Sequence, residues 1–359
     1  MRKRVKHLTN LLRFNRGERV PTIGPLKAEW EVINTCNAKC QTCLHWKRKL
    51  DPSILSTSEG KELIRQLSNS GVLNLCFSGG EPLLRRDVVE LVEFAKRNSL
   101  YTSLISNGLL ITERRAKDLV EARLDTIFIS IDAAEARLND QIRGIPGYFE
   151  LASAAIDNLK AMRRNAGPKI FIKTTLTIRN VNQLVPLAQL CNSKGIDGLS
   201  FQLAQKLTRT GFDFDEALLL KEPNYSLLVD QMDQVKAEFN RVLTGSLEYH
   251  QALRKFLQNA NPFKEFRCIS GYSFVSIDAW GNIFTSPSKN YKLGNIREQS
   301  FESIWHCKKA NELREKQEIF EKSNYLFDSI GNMSVCLSDL NLRRILNLIS
   351  PGFNGEEFN

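Results

Sequence analysis

The sequence predicts an α/β protein with a parallel sheet, because strand-like and helix-like segments alternate six times between residues 28 and 205. Short apolar runs indicate the strands, and longer stretches with apolar residues three or four apart indicate the helices. After Leu203 this alternation stops. Parallel strands joined by right-handed helical crossovers make a curved sheet wrapped by helices. Their carboxyl ends share one edge, where such folds place their chemistry.

Each element has its own signal in the sequence. Strands are predicted at residues 28–33, 72–77, 101–105, 125–131, 169–177 and 197–203. Helices are predicted at residues 57–70, 87–98, 112–122, 149–165 and 181–194. Ser56 opens the first of these helices as an N-cap, and Gly195 closes the last. Two helices near 225–243 and 246–257 are predicted to precede a β-hairpin at 274–284 and a helix from Phe301.

Composition indicates an enzyme-sized globular protein. The chain has 359 residues, of which 42% are hydrophobic, enough to bury a large core in a barrel and a smaller second domain. No apolar run approaches the roughly 18 residues of a membrane-spanning helix, and the basic start lacks the apolar region of a signal peptide. The eight cysteines are unevenly spread, which favours metal binding in a reducing compartment over a disulfide framework. We therefore expect a cytoplasmic protein.

Two basic amphipathic segments contribute to the net charge of +10. Residues 1–7 lead into an apolar stripe, and residues 342–349 repeat the pattern near the other end. Such segments can lie peripherally on anionic membranes, but they more often pack as terminal helices, which is the interpretation we favour. Nucleic acid is not an expected partner, because no basic motif rich in aromatic residues is present.

The densest chemical signal is a cluster of three thiols. Cys36, Cys40 and Cys43 follow the first predicted strand. Thiolates are soft ligands that suit zinc or an iron–sulfur cluster. A fourth cysteine is missing nearby, and His45 could complete a zinc site instead.

The Cys-x3-Cys-x2-Cys spacing resembles the hallmark of the radical S-adenosylmethionine (AdoMet) superfamily. The resemblance implies that Cys36, Cys40 and Cys43 bind three irons of a [4Fe-4S] cluster and that AdoMet chelates the fourth. The residue before the third cysteine is usually aromatic in this family, whereas here it is Thr42. Trp46 or His45 can take its place near the adenine.

Four later segments also resemble motifs of this family, at residues 77–82, 104–108, 128–132 and 143–147. The first is similar to the Gly-Gly-Glu-Pro motif, in which Glu81 would accept from the AdoMet amino group. The last contains Arg143, whose guanidinium would meet the AdoMet carboxylate as a fork. The cofactor-binding residues implied in this way are Ser78, Gly79, Gly80, Glu81, Ser106, Asn107, Ser130, Asp132 and Arg143.

The C-terminal hairpin resembles the auxiliary-cluster domains of the family, called SPASM and, in a shorter form, twitch. Cys268 matches the first cysteine of that domain, but Ser286 stands where the second is expected. Cys307 and Cys336 are the other candidate ligands for a second iron–sulfur cluster. Two interpretations follow, an atypical cluster held by three thiolates or a cap that has lost its cluster, and we favour the second.

The implied architecture is a partial (β/α)6 barrel of the TIM type followed by a small α+β SPASM/twitch-like domain. Domains are expected at 1–27 (lead-in helix), 28–205 (barrel), 206–260 (helical connector) and 261–359 (SPASM/twitch-like). Apolar residues in 207–222 recur with neither a helical nor a strand-like period. We interpret this segment as a linker or as an excursion of the chain towards the substrate. Cys76 and Cys191 fall inside a strand and a helix, and both are predicted to be buried hydrophobes.

The resemblance implies reductive cleavage of AdoMet to a 5'-deoxyadenosyl radical, which abstracts hydrogen from a substrate. Leader-docking relatives often carry a winged-helix module before the barrel, but only residues 1–27 precede the first strand here. We therefore expect a small-molecule or lipid-linked substrate and an electron donor such as flavodoxin or ferredoxin. Two alternatives remain, a peptide or protein maturase of the same family and a non-enzymatic zinc or iron–sulfur sensor. Lys173, Thr175, Gln202 and Gln205 can face substrate, but no catalytic residue is assigned.

Overall fold

A computed structural model describes residues 2–163, 167–205, 215–239, 242–258, 268–287, 291–315 and Met333. The described strands are β1 Lys27–Glu31, β2 Asn74–Ser78, β3 Tyr101–Ser106, β4 Thr126–Ser130, β5 Lys169–Leu176, β6 Gly198–Leu203, β7 Phe274–Ile277, β8 Asn282–Phe284 and β9 Lys292–Asn295. The described α-helices are α1 Arg2–Asn15, α2 Thr57–Ser70, α3 Val88–Arg97, α4 Glu113–Glu121, α5 Ala136–Arg143, α6 Tyr148–Met162, α7 Leu184–Lys194, α8 Glu222–Glu238, α9 Leu247–Leu257, α10 Phe301–His306 and α11 Lys308–Glu315.

The described strands form one sheet in the order β6-β5-β4-β3-β2-β1-β7-β8-β9. Strands β1 to β6 are all parallel, and each is joined to the next by at least one helix. This arrangement confirms the partial (β/α)6 barrel. It also brings the carboxyl ends of six strands to one edge, as expected from the alternation in the sequence.

The C-terminal hairpin adds to the barrel sheet. Strand β7 pairs in parallel with β1, and β8 and β9 follow in antiparallel order. The turn before β8 is also attached to the barrel side, because Trp280 donates to Asp51 Oδ2 at 2.9 Å and Leu55 donates to the Ala279 carbonyl at 2.8 Å. The hairpin that follows the expected domain boundary at residue 261 therefore belongs to the same sheet as the barrel strands.

Alternation along β1 separates the barrel interior from the core. Ala28 and Trp30 are fully buried in the main apolar cluster, whereas Lys27, Glu29 and Glu31 lie on the opposite face. A strand presents alternate residues to its two faces, so the apolar set packs under the helices and the charged set points into the barrel. The β1 side of the barrel interior is accordingly charged.

Two helix boundaries follow the caps predicted from the sequence, Ser56 before α2 and Gly195 after α7. Ser56 and Glu59 form a reciprocal capping box at the start of α2, and Gly71 ends that helix in the left-handed conformation. Helix α5 was not predicted, because its eight residues carry a short and weak apolar pattern. None of the helices in the described ranges is long and apolar enough to cross a membrane.

The N-terminal helix packs against the protein as a terminal helix. Leu11 and Phe14 of α1 are buried in a second apolar cluster with Tyr272, and the Tyr272 hydroxyl donates to the Asn10 carbonyl at 2.9 Å. The predicted basic segment 342–349, the first half of the predicted excursion 207–222 and Cys336 lie outside the described residues.

Candidate active site

A cavity of about 320 Å³ opens among the strand ends of the barrel. It brings together the thiols and most of the residues implied by the motifs, although these are spread over more than a hundred positions of the chain. The predicted residues that line it are Cys36, Cys40, Cys43, Ser78, Gly79, Gly80, Ser106, Asn107, Ser130 and Arg143. Glu81 and Asp132 are not among the lining residues.

The cysteine loop, residues 34–45, is attached to the Gly-Gly segment by backbone hydrogen bonds. Gly80 N–H donates to the Ile33 carbonyl, and Glu81 N–H donates to the Thr35 carbonyl, both at 3.0 Å. A Cβ atom on Gly80 would lie 1.8 Å from the Thr35 oxygen, so only glycine allows this approach. The Gly-Gly pair therefore fixes the position of the loop that carries the thiols.

The other side of the cysteine loop rests on the end of α5. Gln41 N–H donates to the Ile142 carbonyl at 2.9 Å, and a Cβ on Gly144 would lie 2.2 Å from the Lys39 carbonyl oxygen. Gly144 has a φ of 70°, which favours glycine. Arg143 was expected on a loop, but it is the last residue of this unpredicted helix.

The three thiols lie in a buried environment, and side-chain hydrogen-bond donors lie close to two of them. Burial raises the pKa of Cys36 to about 12 and that of Cys43 to about 11, and it also raises the pKa of Cys40. Asn107 Nδ2 lies 3.8 Å from Cys36 Sγ, and Arg143 Nη1 lies 3.8 Å from Cys40 Sγ. Such thiols stay neutral at pH 7 unless a bound metal supplies compensating charge, and these donors could then bond to sulfur.

The described residues do not assemble a zinc site completed by His45. His45 Nδ1 contacts the Asn34 carbonyl at 3.1 Å, which orients the ring but does not by itself decide whether it binds a metal. Throughout the described ranges, no group of three His, Cys, Asp or Glu side chains converges to hold a single metal ion. Three thiols that do not converge on one ion can still bind three different irons of a cluster. The three cysteines therefore fit a [4Fe-4S] group.

Glu81 lies behind the cavity wall. Its buried carboxylate accepts hydrogen bonds from Asn107 N–H at 2.7 Å, Ser106 Oγ at 2.9 Å and Leu83 N–H at 3.0 Å. Burial raises its pKa to about 7, although these hydrogen bonds oppose the shift. The carboxylate thus joins the Gly-Gly segment to the end of β3, and it does not reach the cavity as the motif had suggested.

Asp132 is also behind the wall, where it orients Arg143. Asp132 Oδ2 lies 2.8 Å from Arg143 Nε, and its Oδ1 accepts from Thr175 N–H at 2.9 Å and from Thr174 Oγ1 at 3.2 Å. Asp132 is fully buried, whereas Arg143 lines the cavity. The ion pair therefore fixes the guanidinium beside the cysteine loop.

The cavity contains a second set of polar residues that the sequence analysis did not assign. Lys27, Glu29 and Glu31 of β1 line it, and Ser78 Oγ donates to Glu29 Oε1 at 3.0 Å. Burial raises the pKa of Glu29. These residues alternate with Ala28 and Trp30 along the strand. That alternation could have predicted that they face the barrel interior.

Four residues were named as able to face substrate, although a structural role was favoured for each, and all four line the cavity: Lys173, Thr175, Gln202 and Gln205. Lys173 Nζ donates to Ser200 Oγ at 3.1 Å, and Gln202 Nε2 donates to Thr175 Oγ1 at 3.3 Å. Cys76 is buried in its strand, as predicted, and it lines the cavity as well. Its strand position points it inward, opposite Glu29 in the β1–β2 register. Cys191 is in the apolar core, as predicted.

Comparison with known proteins decides the family. The family model of the radical SAM superfamily matches residues 30–191, and the model of the SPASM iron–sulfur cluster-binding domain matches residues 268–326. Mycofactocin maturase MftC of Mycobacterium tuberculosis is 32% identical over 298 residues, which cover 82% of this chain and 73% of the maturase. The chain belongs to the radical SAM superfamily.

Other radical SAM relatives carry different product names. The AdoMet-dependent heme synthase of Oleidesulfovibrio alaskensis is 36% identical over 297 residues, covering 77% of this chain and 73% of the synthase. Streptococcus suis SuiB bound to S-adenosylmethionine has the same fold, with a TM-score of 0.65 at 19% identity, over 91% of this chain and 75% of that one. Membership makes this protein a radical SAM enzyme, with a [4Fe-4S] cluster and AdoMet as the cofactors of its family.

Proposed function

We propose that this radical SAM enzyme holds its cluster on Cys36, Cys40 and Cys43 and abstracts hydrogen from a small polar substrate. The observation that carries the proposal is that one cavity is lined by all three thiols, by seven of the nine motif residues and by a separate polar set. The cluster takes one electron per turnover, for which a flavodoxin or ferredoxin is the expected donor. When bound, cluster and AdoMet together supply a carbon-centred radical that can remove hydrogen from an unactivated carbon.

The protein's own residues divide into two roles around AdoMet. Seven line the cavity and can contact it: Ser78, Gly79, Gly80, Ser106, Asn107, Ser130 and Arg143. Glu81 and Asp132 act from behind the wall, where Glu81 fixes the ends of β2 and β3 and Asp132 orients Arg143. Arg143 offers the positive charge that a carboxylate of AdoMet requires.

The charges in the barrel interior support a polar substrate of metabolite size. Lys27, Glu29 and Lys173 present both signs of charge to the same space. A cavity of about 320 Å³ is at the lower end of ordinary ligand sites, and AdoMet must share it. The volume therefore favours a small substrate, or the end of a larger one, over a bulky one. The curated relatives are named for unrelated products, mycofactocin and heme, so their names do not select the substrate.

A peptide end is the second candidate, and one observation favours it. The Oε1 atom of Gln205 is buried and has no hydrogen-bond partner among the residues that the structure describes. A backbone N–H of an inserted peptide could satisfy this acceptor, since a buried carbonyl oxygen without a partner is costly. In that case only the terminal residues would enter the cavity.

The substrate class is tested by adding low-mass and peptide fractions of a cell extract separately to dithionite-reduced enzyme with AdoMet. We expect the low-mass fraction to stimulate 5'-deoxyadenosine formation, and mass spectrometry should show a component changed in hydrogen content. Lys173→Ala should lose the stimulation but keep the slow uncoupled cleavage, whereas Lys117→Ala on the exposed face of α4 should keep both. Stimulation by the peptide fraction alone would replace the first candidate with the second.

A further inference from the structure

The C-terminal cap contains a buried arginine on helix α11. Arg314 is fully buried, and its Nε donates to the Gly271 carbonyl at 2.6 Å. Its guanidinium lies 4.2 Å from the ring centroid of Trp305, and Nη1 donates to Asn311 Oδ1 at 2.7 Å. Burial lowers its pKa to about 10, so it remains charged at pH 7.

This guanidinium joins two segments that an auxiliary cluster would otherwise join. Gly271 follows Cys268 by three residues, and Trp305 and Arg314 flank Cys307. In the SPASM-like interpretation, thiolates from both segments would bind the same cluster. Here a carbonyl hydrogen bond and a cation–π contact from one side chain provide the link, with no metal required.

The described donor set fits an auxiliary cluster poorly. Cys268 is fully buried in the apolar cluster that contains Phe14 and Tyr272, whereas Cys307 packs against the main core. Cys307 Sγ accepts from Ala310 N–H at 3.4 Å, within its own helical segment. The position of the second family cysteine is Ser286, a buried hydroxyl and a poor ligand for iron.

We propose that Arg314 takes the structural place of an auxiliary iron–sulfur cluster, so that the chain holds one cluster, at Cys36, Cys40 and Cys43. The family model for residues 268–326 is described as cluster-binding, and this chain would have kept the fold of that domain while replacing its metal with a cation. The cap then acts only through packing and through its attachment to β1. This inference does not depend on the identity of the substrate.

Iron and sulfide analysis of anaerobically reconstituted protein tests the proposal. We expect about four irons per chain in the native protein and in the Cys268→Ser/Cys307→Ser double variant, and almost none in the Cys36→Ala/Cys40→Ala/Cys43→Ala variant. Arg314→Ala should keep its iron but lower the Tm by about 5 °C or more. The reason is that it removes a buried cation together with its contacts to the Gly271 carbonyl and the Trp305 ring. Arg314→Lys should recover part of that loss. Arg97→Ala, on the exposed end of α3, should leave the Tm nearly unchanged.

Other results of the same measurements would overturn the proposal. About eight irons per native chain, or iron lost from the Cys268→Ser/Cys307→Ser variant, would overturn the proposal. In that case Nη2 of Arg314, which lacks a hydrogen-bond partner in the part of the chain described, would face a cluster. An unchanged Tm for Arg314→Ala would also contradict it. If Arg314→Ala does not fold, the iron content of the cysteine variants decides alone.

Discussion

The backbone N–H of Gly80 donates to the carbonyl oxygen of Ile33 at 3.0 Å, which joins the Gly-Gly segment to the start of the cysteine loop. The Gly-Gly segment therefore has a structural role in addition to any contact with AdoMet. It holds the thiols at the strand ends, and the end of α5 holds the same loop from the other side. The two loops implied to bind AdoMet thus also form the support of the cluster site.

The Gly80→Ala variant should lose most of its iron after reconstitution. Its Cβ would lie 1.8 Å from the Thr35 carbonyl oxygen, a backbone atom that can move only if the cysteine loop moves. Gly147→Ala is the control, since no atom lies within 4 Å of its added Cβ, although its positive φ of 75° disfavours alanine by itself. Iron content at the native level in Gly80→Ala would show that the loop tolerates the shift.

Glu81→Gln should weaken AdoMet binding although the carboxylate does not line the cavity. A glutamine amide cannot accept at both oxygen positions, so the hydrogen bond to Asn107 N–H or to Ser106 is lost and the wall shifts. Loss of one charge-assisted hydrogen bond costs about 1.5–3 kcal/mol, roughly ten- to more than a hundredfold in affinity. Calorimetric titration of reconstituted protein with AdoMet measures this, with Glu93→Gln as an exposed control. An unchanged affinity at unchanged iron content would argue against this positioning role.

Arg143→Ala should weaken AdoMet binding by a similar factor and leave the iron content unchanged. Arg143 is the cationic residue that lies beside Cys40 Sγ in the cavity, and its removal takes away the partner expected for the AdoMet carboxylate. Arg179→Ala is the control, because Arg179 donates to Gln41 of the same cysteine loop from an exposed position. Equal affinities for the two variants would mean that the carboxylate site lies elsewhere.

The attachment of the cap to α2 should depend on pH. Arg297 donates to Glu59 through Nε at 2.6 Å and Nη2 at 2.9 Å, and these hydrogen bonds lower the pKa of Glu59 from 4.5 to about 2. A depressed pKa stabilises the fold fully above pH 4.5, and this contribution is lost as the pH falls towards 2. Both side chains are more than one-third exposed, so solvent screening limits the contribution to about 1 kcal/mol or less.

Thermal unfolding of iron-free native and Glu59→Gln protein checks this dependence. The native chain should have the higher Tm at neutral pH, by a few degrees at most, and the difference should shrink at about pH 3.5. A difference that stays constant or grows on acidification would show that the ion pair is not its source.

The sequence predicted the barrel well because its signals are local. Ser56 and Gly71 mark the two ends of α2 by backbone chemistry that each residue carries itself, and the apolar runs mark the strands. The spacing of Cys36, Cys40 and Cys43 likewise marked the loop that we propose to hold the cluster. These features do not depend on distant parts of the chain.

What the sequence did not predict depends on contacts between distant residues. The burial of Glu81 follows from donors some twenty-five positions later, and the inward position of Cys76 follows from its register with Glu29. The pairing of β7 with β1 joins segments about 250 residues apart, so the hairpin alone read as a separate domain. Buried Arg314 carries no motif at all, and only the fold shows that it lies against Trp305.

One cluster on Cys36, Cys40 and Cys43 should generate the radical in this enzyme. The experiment that tests this is 5'-deoxyadenosine formation from AdoMet by dithionite-reduced, anaerobically reconstituted protein, measured beside the Cys36→Ala/Cys40→Ala/Cys43→Ala variant. The native protein should form 5'-deoxyadenosine, and the variant should form none above background. Continued formation of 5'-deoxyadenosine by the triple variant would contradict it.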